Sequence, residues 1–405
     1  MIINFSVKNF RSIDDEITLS FEAVDKSEND KYYIYNSGKE KILKTAIIYG
    51  SNASGKTNIL KALEFLVKFI GNPLERKDQL IELEPFLFTD DIKKSTSFEL
   101  DFLMNDIKYS YILEVSKERV LAEQLYFYNP RKALIFDRNN YDFGSKIKIN
   151  KSAKEALKNN TLHNNSILSG YMKTNIDIEE FENVIAWFKK VLPPIFPTTN
   201  LVGFVVEQLE KKDLNKKMIL NILQNADFGI DNFEIEESEP EEEFKEFLKR
   251  INKEDSDLKK LEIFFTHLKR YKLEYDDEST GTQRYYQLSI ILTLLLKESL
   301  IIPIDELEAS LHPDLLKHFL LSFIVNAKDS QLIFTTHSRE LLLEKDILRH
   351  DIIWFTEKSK NSSTELFSLS DFDTKTLRKE SSIYNIYKSG KLGAIPNLKD
   401  YFMDI

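Results

Sequence analysis

The chain has 405 residues, 42% of them apolar and 30% charged, with a net charge of -10 and no cysteine. That length buries a core and leaves room for two or three lobes, while the lack of cysteine excludes disulfides, thiolate catalysis and cysteine-ligated zinc or iron–sulfur centres. The acidic balance argues against a surface that grips nucleic acid as a whole, though not against a local basic groove.

The opening MIINFSVKNF alternates apolar and polar residues instead of forming the unbroken apolar core of a signal peptide. A later apolar run over 288–304 is interrupted by Lys297, Glu298 and Ser299 and is too short to span a bilayer. Together these predict a soluble, cytoplasmic chain with no membrane partner. Ile3, Phe5 and Val7 alternate as strand residues do, and so do Ile17, Leu19 and Phe21. The same period recurs in Phe98, Leu100 and Phe102 and in Tyr111, Leu113 and Val115, with Asn105-Asp106 as a hairpin turn between them. Within this β-rich region a short apolar strand over 46–49 leads into a Gly/Ser/Asn loop and then a helix. That helix places Ile59, Leu63, Leu66, Val67 and Ile70 on one face and stops at Gly71-Asn72-Pro73.

From 151 to 227 the pattern is helical and lysine-rich, broken at Pro193-Pro194 and Pro197. Residues 234–243, EIEESEPEEE, read as a solvated face or mobile loop, and 244–270 as helix. From Tyr275 onward apolar strands alternate with helices, which predicts a parallel sheet covered on both sides. The division that follows is an N-terminal lobe over 1–150, a mainly helical insertion over 151–274 and a C-terminal lobe over 275–405.

Four motifs carry chemistry. Gly50-Ser51-Asn52-Ala53-Ser54-Gly55-Lys56-Thr57, followed by Asn58, fills the pattern GxxxxGK[ST] between a strand and a helix. The glycines let backbone N–H groups face phosphate oxygens at a positive helix end, Lys56 reaches the β- and γ-phosphates of ATP, and the Thr57 hydroxyl ligates Mg²⁺. Far downstream, LIIPI over 300–304 ends in Asp305-Glu306. There Asp305 suits the metal and Glu306 suits a general base that polarises the attacking water. Pro303 is awkward, because proline removes a ladder donor from a strand expected to be central. His337 closes a second apolar strand, at the carboxyl edge where ligands bind in such sheets, and is placed to sense the γ-phosphate. Glu278-Ser279-Thr280-Gly281-Thr282-Gln283-Arg284 precedes a long apolar helix. In isolation Ser279 or Thr280 is an N-cap; as a second anion-binding helix end, the stretch makes most sense facing the nucleotide of another subunit.

About 250 residues separate Lys56 from Asp305, far more than a compact P-loop core needs. A P-loop, a long insertion, a signature, an Asp-Glu pair and a histidine in that order resemble the ABC-type ATPase heads of SMC, RecF and OLD-like proteins. Val7-Lys8-Asn9-Phe10-Arg11-Ser12 is similar to the opening of those heads. Within that group the chain looks like the RloA-like AAA-family ATPases, related to anti-phage and abortive-infection systems. The residues behind this are ESTGTQR at 278–284, IDELEASLHP at 304–313, TTHSRELL at 335–342, DIIWFTEK at 351–358 and SGKLGAIP at 389–396.

The resemblance implies an α/β, ABC-type P-loop head: a mixed sheet, an antiparallel β subdomain and a mainly helical insertion. It further implies that Ser279 and Gly281 meet the γ-phosphate held by an opposite protomer, with Ser310 and His312 at the dimer seam. The signature departs from LSGGQ at Glu278 and Thr280, and no glutamine lid stands out before the insertion, Gln79 being the candidate. The activity implied is Mg²⁺-dependent ATP hydrolysis in a homodimer or higher homo-oligomer that controls a separate effector protein, a nuclease or toxin, in bacterial anti-phage defence. Two alternatives stay open. One is a RecF-like DNA-maintenance ATPase, with Lys211-Lys212, Lys216-Lys217 and Lys269-Arg270 on phosphates. The other is a nuclease in its own right, against which Asp371-Phe372-Asp373 reads as a loop.

Overall fold

The computed structural model describes every residue except 25–27, 89–94, 140–141, 194–214, 239–259, 345–347, 373–381 and 395–405. In chain order its elements begin β1 (Ile2–Lys8), β2 (Ile17–Ser20), α1 (Asp30–Tyr33), β3 (Ile34–Ser37), β4 (Glu40–Leu43), β5 (Thr45–Gly50) and α2 (Lys56–Gly71). Next come β6 (Thr96–Met104), β7 (Ile107–Val115), β8 (Val120–Tyr128), β9 (Lys132–Asp137), β10 (Asp142–Phe143), α3 (Lys151–Asn160), α4 (Ile167–Tyr171) and α5 (Glu179–Ala186). Then follow α6 (Lys216–Gln224), β11 (Ile230–Ser238), β12 (Lys260–His267), β13 (Tyr271–Glu274) and α7 (Thr280–Lys297). The series closes with β14 (Ile301–Ile304), α8 (Pro313–Asn326), β15 (Gln331–Thr336), β16 (Ile353–Lys358), β17 (Thr364–Ser368) and α9 (Ile383–Lys388). The chain divides into two compact units: Met1–Thr198, Glu298–Leu307 and Ile324–Ile405 form the first, Thr199–Lys297 and Glu308–Phe323 the second.

The first unit holds two large sheets. One is antiparallel, in the order β10-β9-β8-β7-β6-β1-β2. Its strands bury alternate residues, Phe5 and Val7 on β1 and Phe98, Leu100 and Phe102 on β6, while Ser6 and Glu99 stay at or near the surface. The β6–β7 hairpin turns at Asn105 (φ 49°) and Asp106 (φ 60°), residue types that tolerate the left-handed region two-residue hairpins require. The other sheet has the order β14-β15-β5-β16-β17, parallel from β14 to β16 with β17 antiparallel. Every residue of β5 and β15 is buried, which is why each carries an unbroken apolar stretch, residues 46–49 and 332–334, with no polar alternation within it.

The mixed sheet and the antiparallel subdomain are as expected. One difference is Pro303. β14 lies at the end of the strand order, and the Gln331 N–H donates to the Leu300 carbonyl. In a parallel ladder this assigns the bonds to residues 300, 302 and 304, so Pro303 presents its missing donor to the side that has no partner strand among the described residues.

In the second unit α6 packs against α7, which is buried almost all round from Thr282 to Leu295. β11, β12 and β13 form an antiparallel meander. Here the expectation of helix over 244–270 fails: residues 260–267 are strand, and 244–259 lie outside the described residues. The reason is cross-strand pairing, which sets Phe233, Phe265 and Leu273 in one row and overrides a local charge pattern that suits a helix. The turn after β12 uses Leu268 (φ 49°) and Lys269 (φ 59°), neither of them a turn signal in sequence. The acidic stretch is likewise strand as far as Ser238, with Glu234 and Glu236 both within reach of Lys272. No helix among the described residues is long and apolar enough to cross a membrane.

Lys44, directly before β5, is buried and donates from Nζ to the carbonyls of Ile324 (2.9 Å) and Ala327 (2.6 Å), closing the end of α8. Burial lowers its ammonium from the ordinary 10.5 to about 8. Between those values the unfolded chain binds the extra proton, so this residue makes stability rise as pH goes from about 8 towards 10.5. We expect Lys44→Met to unfold at a lower temperature at pH 7 and to lack that rise; calorimetric melts of both proteins across pH 7–10 measure it.

Candidate functional site

β5 delivers the glycine-rich loop to the carboxyl edge of the five-stranded sheet, and α2 begins at Lys56 with Gly55 as its N-cap in the left-handed region (φ 107°). Two positions in the loop admit only glycine. A Cβ on Gly50 would run into Thr356 Oγ1 and Ser54 Oγ, and one on Gly55 into Thr364 Oγ1 and Ser12 Oγ, besides the strain of its φ. Ala53 also lies in the left-handed region (φ 62°), and the Ser54 N–H closes the turn onto the Ser51 carbonyl at 3.2 Å. Ser51, Asn52 and Ala53 are at least partly exposed and Ser54 is buried, so the middle of the loop is open to a ligand and its base is packed.

Lys56 folds along the loop. Its Nζ donates to the carbonyls of Gly50 (2.9 Å) and Ser51 (3.1 Å), although the side chain as a whole is buried. The Thr57 hydroxyl donates to Asp305 Oδ2 at 2.9 Å, joining the start of α2 to the residue that follows β14. Thr335 on β15 completes the arrangement: its Oγ1 donates to Asp305 Oδ1 at 2.6 Å and accepts the Glu306 N–H at 2.8 Å. Glu306 has φ 47°, a conformation that costs a non-glycine residue and recurs at functional sites. The turn brings Glu306 Oε1 to 3.9 Å from His337 Nε2, both side chains being part-exposed. Thus Lys56, Thr57, Asp305, Glu306 and His337, distant in sequence, converge at one edge of one sheet.

Oxygen donors from Thr57 and Asp305 are what Mg²⁺ takes when phosphates and water fill its remaining positions. Among the described residues no group of three or more His, Asp or Glu side chains is placed to hold a metal without such help. A negative phosphate at the loop would meet the backbone N–H groups at the start of α2 and compete with the Gly50 and Ser51 carbonyls for Lys56.

Three further hydroxyls brace the loop. Thr356 on β16 lies 2.6 Å from Ser54 Oγ, and Thr364 on β17 donates to the Ser54 carbonyl at 2.8 Å. Ser12 lies 2.7 Å from Thr364 Oγ1 and accepts from Asn58 Nδ2 at 2.7 Å. Sequence reasoning missed Thr335, Thr356 and Thr364. The first has a visible signal, two threonines before a histidine at a strand's end, whereas Thr356 and Thr364 have none because they act across more than 300 positions of sequence.

In the second unit the Ser279 hydroxyl accepts the Thr282 N–H at 3.1 Å, so Ser279 caps α7. Gly281 lies against the Ser310 carbonyl, 3.2 Å from where a Cβ would stand, and Ser310 has φ 61°. His312 is exposed, with Nδ1 accepting the Asp314 N–H at 3.3 Å. Glu278 is held by His267 at 2.6 Å. Arg284 is buried with no hydrogen-bond partner for its guanidinium among the described residues, and burial pulls it down to about 10 against the opposing charge of Glu308. Lys216 and Arg270 stack over Phe233 and Tyr271, while Lys211 and Lys212 lie outside the described residues. Gln79 is engaged locally, accepting the N–H groups of Glu75 and Arg76. Asp371 closes a capping box with Ser368, and Asp373 lies outside the described residues.

Among solved structures the chain is similar to an SMC head bound to the C-terminal winged-helix domain of ScpA (14% identity, 91% of this chain and 97% of that one, TM-score 0.44). It is similar to the SMC head domain from Thermotoga maritima (15%, 91% and 98%, 0.43). A third is an Smc head domain with an extended coiled coil bound to the C-terminal domain of ScpA from Pyrococcus furiosus (14%, 97% and 99%, 0.42). These likenesses are distant and carry no part of the assignment. Comparison with curated proteins gives no significant match. A family match does decide it: residues 46–344, from the P-loop strand past His337, fit the family described as "AAA domain, putative AbiEii toxin, Type IV TA system", and the chain, an AAA-type P-loop domain, belongs to that family.

Proposed function

We propose that the chain is a Mg²⁺-dependent ATPase that works as a switch, closing as a nucleotide-sandwich dimer and controlling a separate effector protein in defence against phage. The observation that carries the ATPase part is the single hydrogen-bonded chain from Thr57 through Asp305 and Thr335 to Glu306, assembled beside Lys56. In this reading Lys56 and the loop from Gly50 to Asn58 hold the phosphates, and Thr57 and Asp305 would hold Mg²⁺, which would supply neutralisation of phosphate charge. Glu306 accepts a proton from the attacking water, and His337 beside it registers the γ-phosphate.

The switch part is supported by the family's description as a toxin-type AAA domain and by the likeness of ESTGTQR to a signature sequence. Ser279 and Gly281, at the capped start of α7, are then the partner protomer's contribution to the γ-phosphate. Carrying such a pair from almost always open to almost always closed takes about 5.5 kcal/mol of differential binding, a sum two shared phosphate sites can supply.

In this reading Ser279→Arg abolishes ATP-driven assembly and leaves nucleotide affinity within about threefold, since one buried cation in the seam is enough to hold two heads apart. Light scattering of the Glu306→Gln chain with ATP, with and without Ser279→Arg, gives the mass. Unchanged assembly in the double variant would remove the signature assignment. A stoichiometric second protein retained with the assembled chain is expected under effector control, and retention of DNA with steep salt dependence would favour the DNA-maintenance alternative.

A further inference from the structure

β13 ends the antiparallel meander, and among the described residues no strand pairs with its outer edge. Its four residues, Tyr271, Lys272, Leu273 and Glu274, are all exposed. With Ile235 and Leu268 of the same meander, Tyr271 and Leu273 make up the exposed large apolar side chains of the second unit among the described residues. An open edge of this kind is a template for another strand unless proline, a bulge or a charge blunts it. β13 has no proline, and its register against β12 runs without a shift. Its one lysine is drawn back across the sheet: Lys272 Nζ reaches Glu234 Oε2 (3.3 Å) and Glu236 and lies over the Phe264 ring.

The residues of β13 decide which strand fits. Leu273 shares a face with Phe233 and Phe265, and an added strand must keep that face apolar. For a second β13 running antiparallel, this restricts the pairing to registers centred on a residue. Centred on Lys272 or on Glu274, the pairing sets two like charges directly opposite, which destabilises it. Centred on Tyr271, it sets Arg270 against the partner subunit's Lys272. Centred on Leu273, it sets Lys272 against the partner subunit's Glu274, Glu274 against the partner subunit's Lys272, and leucine against leucine. In that register alone the strand is complementary to itself. Glu234 and Glu236 do not upset it, because β11 is three strand spacings from a partner's β13, roughly 14 Å. That lies beyond the screening length of about 8 Å at physiological salt.

We propose that two copies of this chain pair through β13, antiparallel about Leu273, and that the pairing needs no nucleotide. Three strands from each copy then form one sheet, and the row of Phe233, Phe265 and Leu273 runs on through the same residues of the second copy. Four residues a side cover far less than the ~1,200 Å² of a standard stable interface, so the contact is reversible by itself. It is separate from the phosphate sites of the proposed switch and stands or falls without them.

The chain has no cysteine, so an introduced thiol is its only one. The full chain is oxidised without nucleotide as three single variants, Leu273→Cys, Lys272→Cys and Glu274→Cys. Leu343→Cys, exposed on the first unit, is the collision control. Leu273→Cys should give a disulfide-linked dimer on a non-reducing gel roughly tenfold faster than the control, since directly paired Cα atoms lie about 4.5–5.5 Å apart, within disulfide reach. Lys272→Cys and Glu274→Cys should each stay near the control rate, because like positions then stand roughly 8 Å apart, and the two should cross-link when mixed. Adding Glu274→Lys to Leu273→Cys sets lysine against lysine at two places and should slow dimer formation roughly tenfold. A control-level rate for Leu273→Cys overturns the pairing. Self-linking of Lys272→Cys or Glu274→Cys as fast as Leu273→Cys overturns the register, and so does indifference to Glu274→Lys.

Discussion

Lys56→Ala should lower ATP affinity by roughly two orders of magnitude or more, since truncating one partner of a desolvated, hydrogen-bonded charge pair costs about 2–5 kcal/mol. The side chain is buried at the start of α2 and its ammonium is already directed along the loop by the carbonyls of Gly50 and Ser51. A phosphate exchanges those neutral acceptors for charged ones without having to order the lysine first, so little of the gain is lost as side-chain entropy. Alanine is a good helix former and leaves the turn of Gly50 and Gly55 intact, so the variant is expected to fold. Titration with a fluorescent ATP analogue measures the loss, and a melting curve shows that the fold persists. Affinity within threefold of wild type would show that phosphate is held elsewhere.

Glu306→Gln separates binding from chemistry. The exchange keeps the side chain's size and removes its capacity to accept a proton, while the backbone bond from residue 306 to Thr335 Oγ1 is untouched. General-base assistance contributes typically 10²–10⁴-fold, so turnover should fall by roughly that factor with ATP affinity nearly unchanged. Phosphate release in a single turnover reads the chemical step alone, and an ATP-bound form stable for minutes is the expected companion. Turnover comparable to wild type would strip Glu306 of the role, leaving water activation to another group.

The motifs were legible because each is local. The P-loop reads from residues 50–57 alone, and the strand before it and helix after it read from hydrophobic period, with Ile59, Leu63, Leu66 and Ile70 buried and Val67 at the margin of the face. The I′ hairpin at Asn105-Asp106 was legible for the same reason. The placement of β5 was not. It lies in the N-terminal stretch of β-rich sequence, yet its partners are β15 and β16 and no strand of the antiparallel sheet. Periodicity says that a strand is buried, not beside what. β12 failed differently: its row of Phe233, Phe265 and Leu273 exists only once three segments are paired, and Leu268-Lys269 gives no sign of the turn that pairs two of them. Thr335, Thr356 and Thr364 show the general limit. A threonine that braces a carboxylate or a loop is indistinguishable in sequence from any other strand threonine.

The position of β5 between β15 and β16 has a consequence during translation. β5 ends at Gly50, but β15 begins at Gln331 and β16 at Ile353, so this wholly buried strand leaves the ribosome long before either neighbour exists. At roughly 5–20 residues per second the wait is on the order of 15 to 60 s. Until β15 exists Ala46, Ile47 and Ile48 have neither ladder partner; Asp305 is made only shortly before it, and Thr335, Thr356 and Thr364 with it or after it. The nascent chain therefore carries its most diagnostic motif early and can assemble the site around it only near the end of synthesis. A chain released before residue 305 would hold the glycines, Lys56 and Thr57, but neither Asp305 and Glu306 nor the strands that bring His337 and the bracing threonines to the loop.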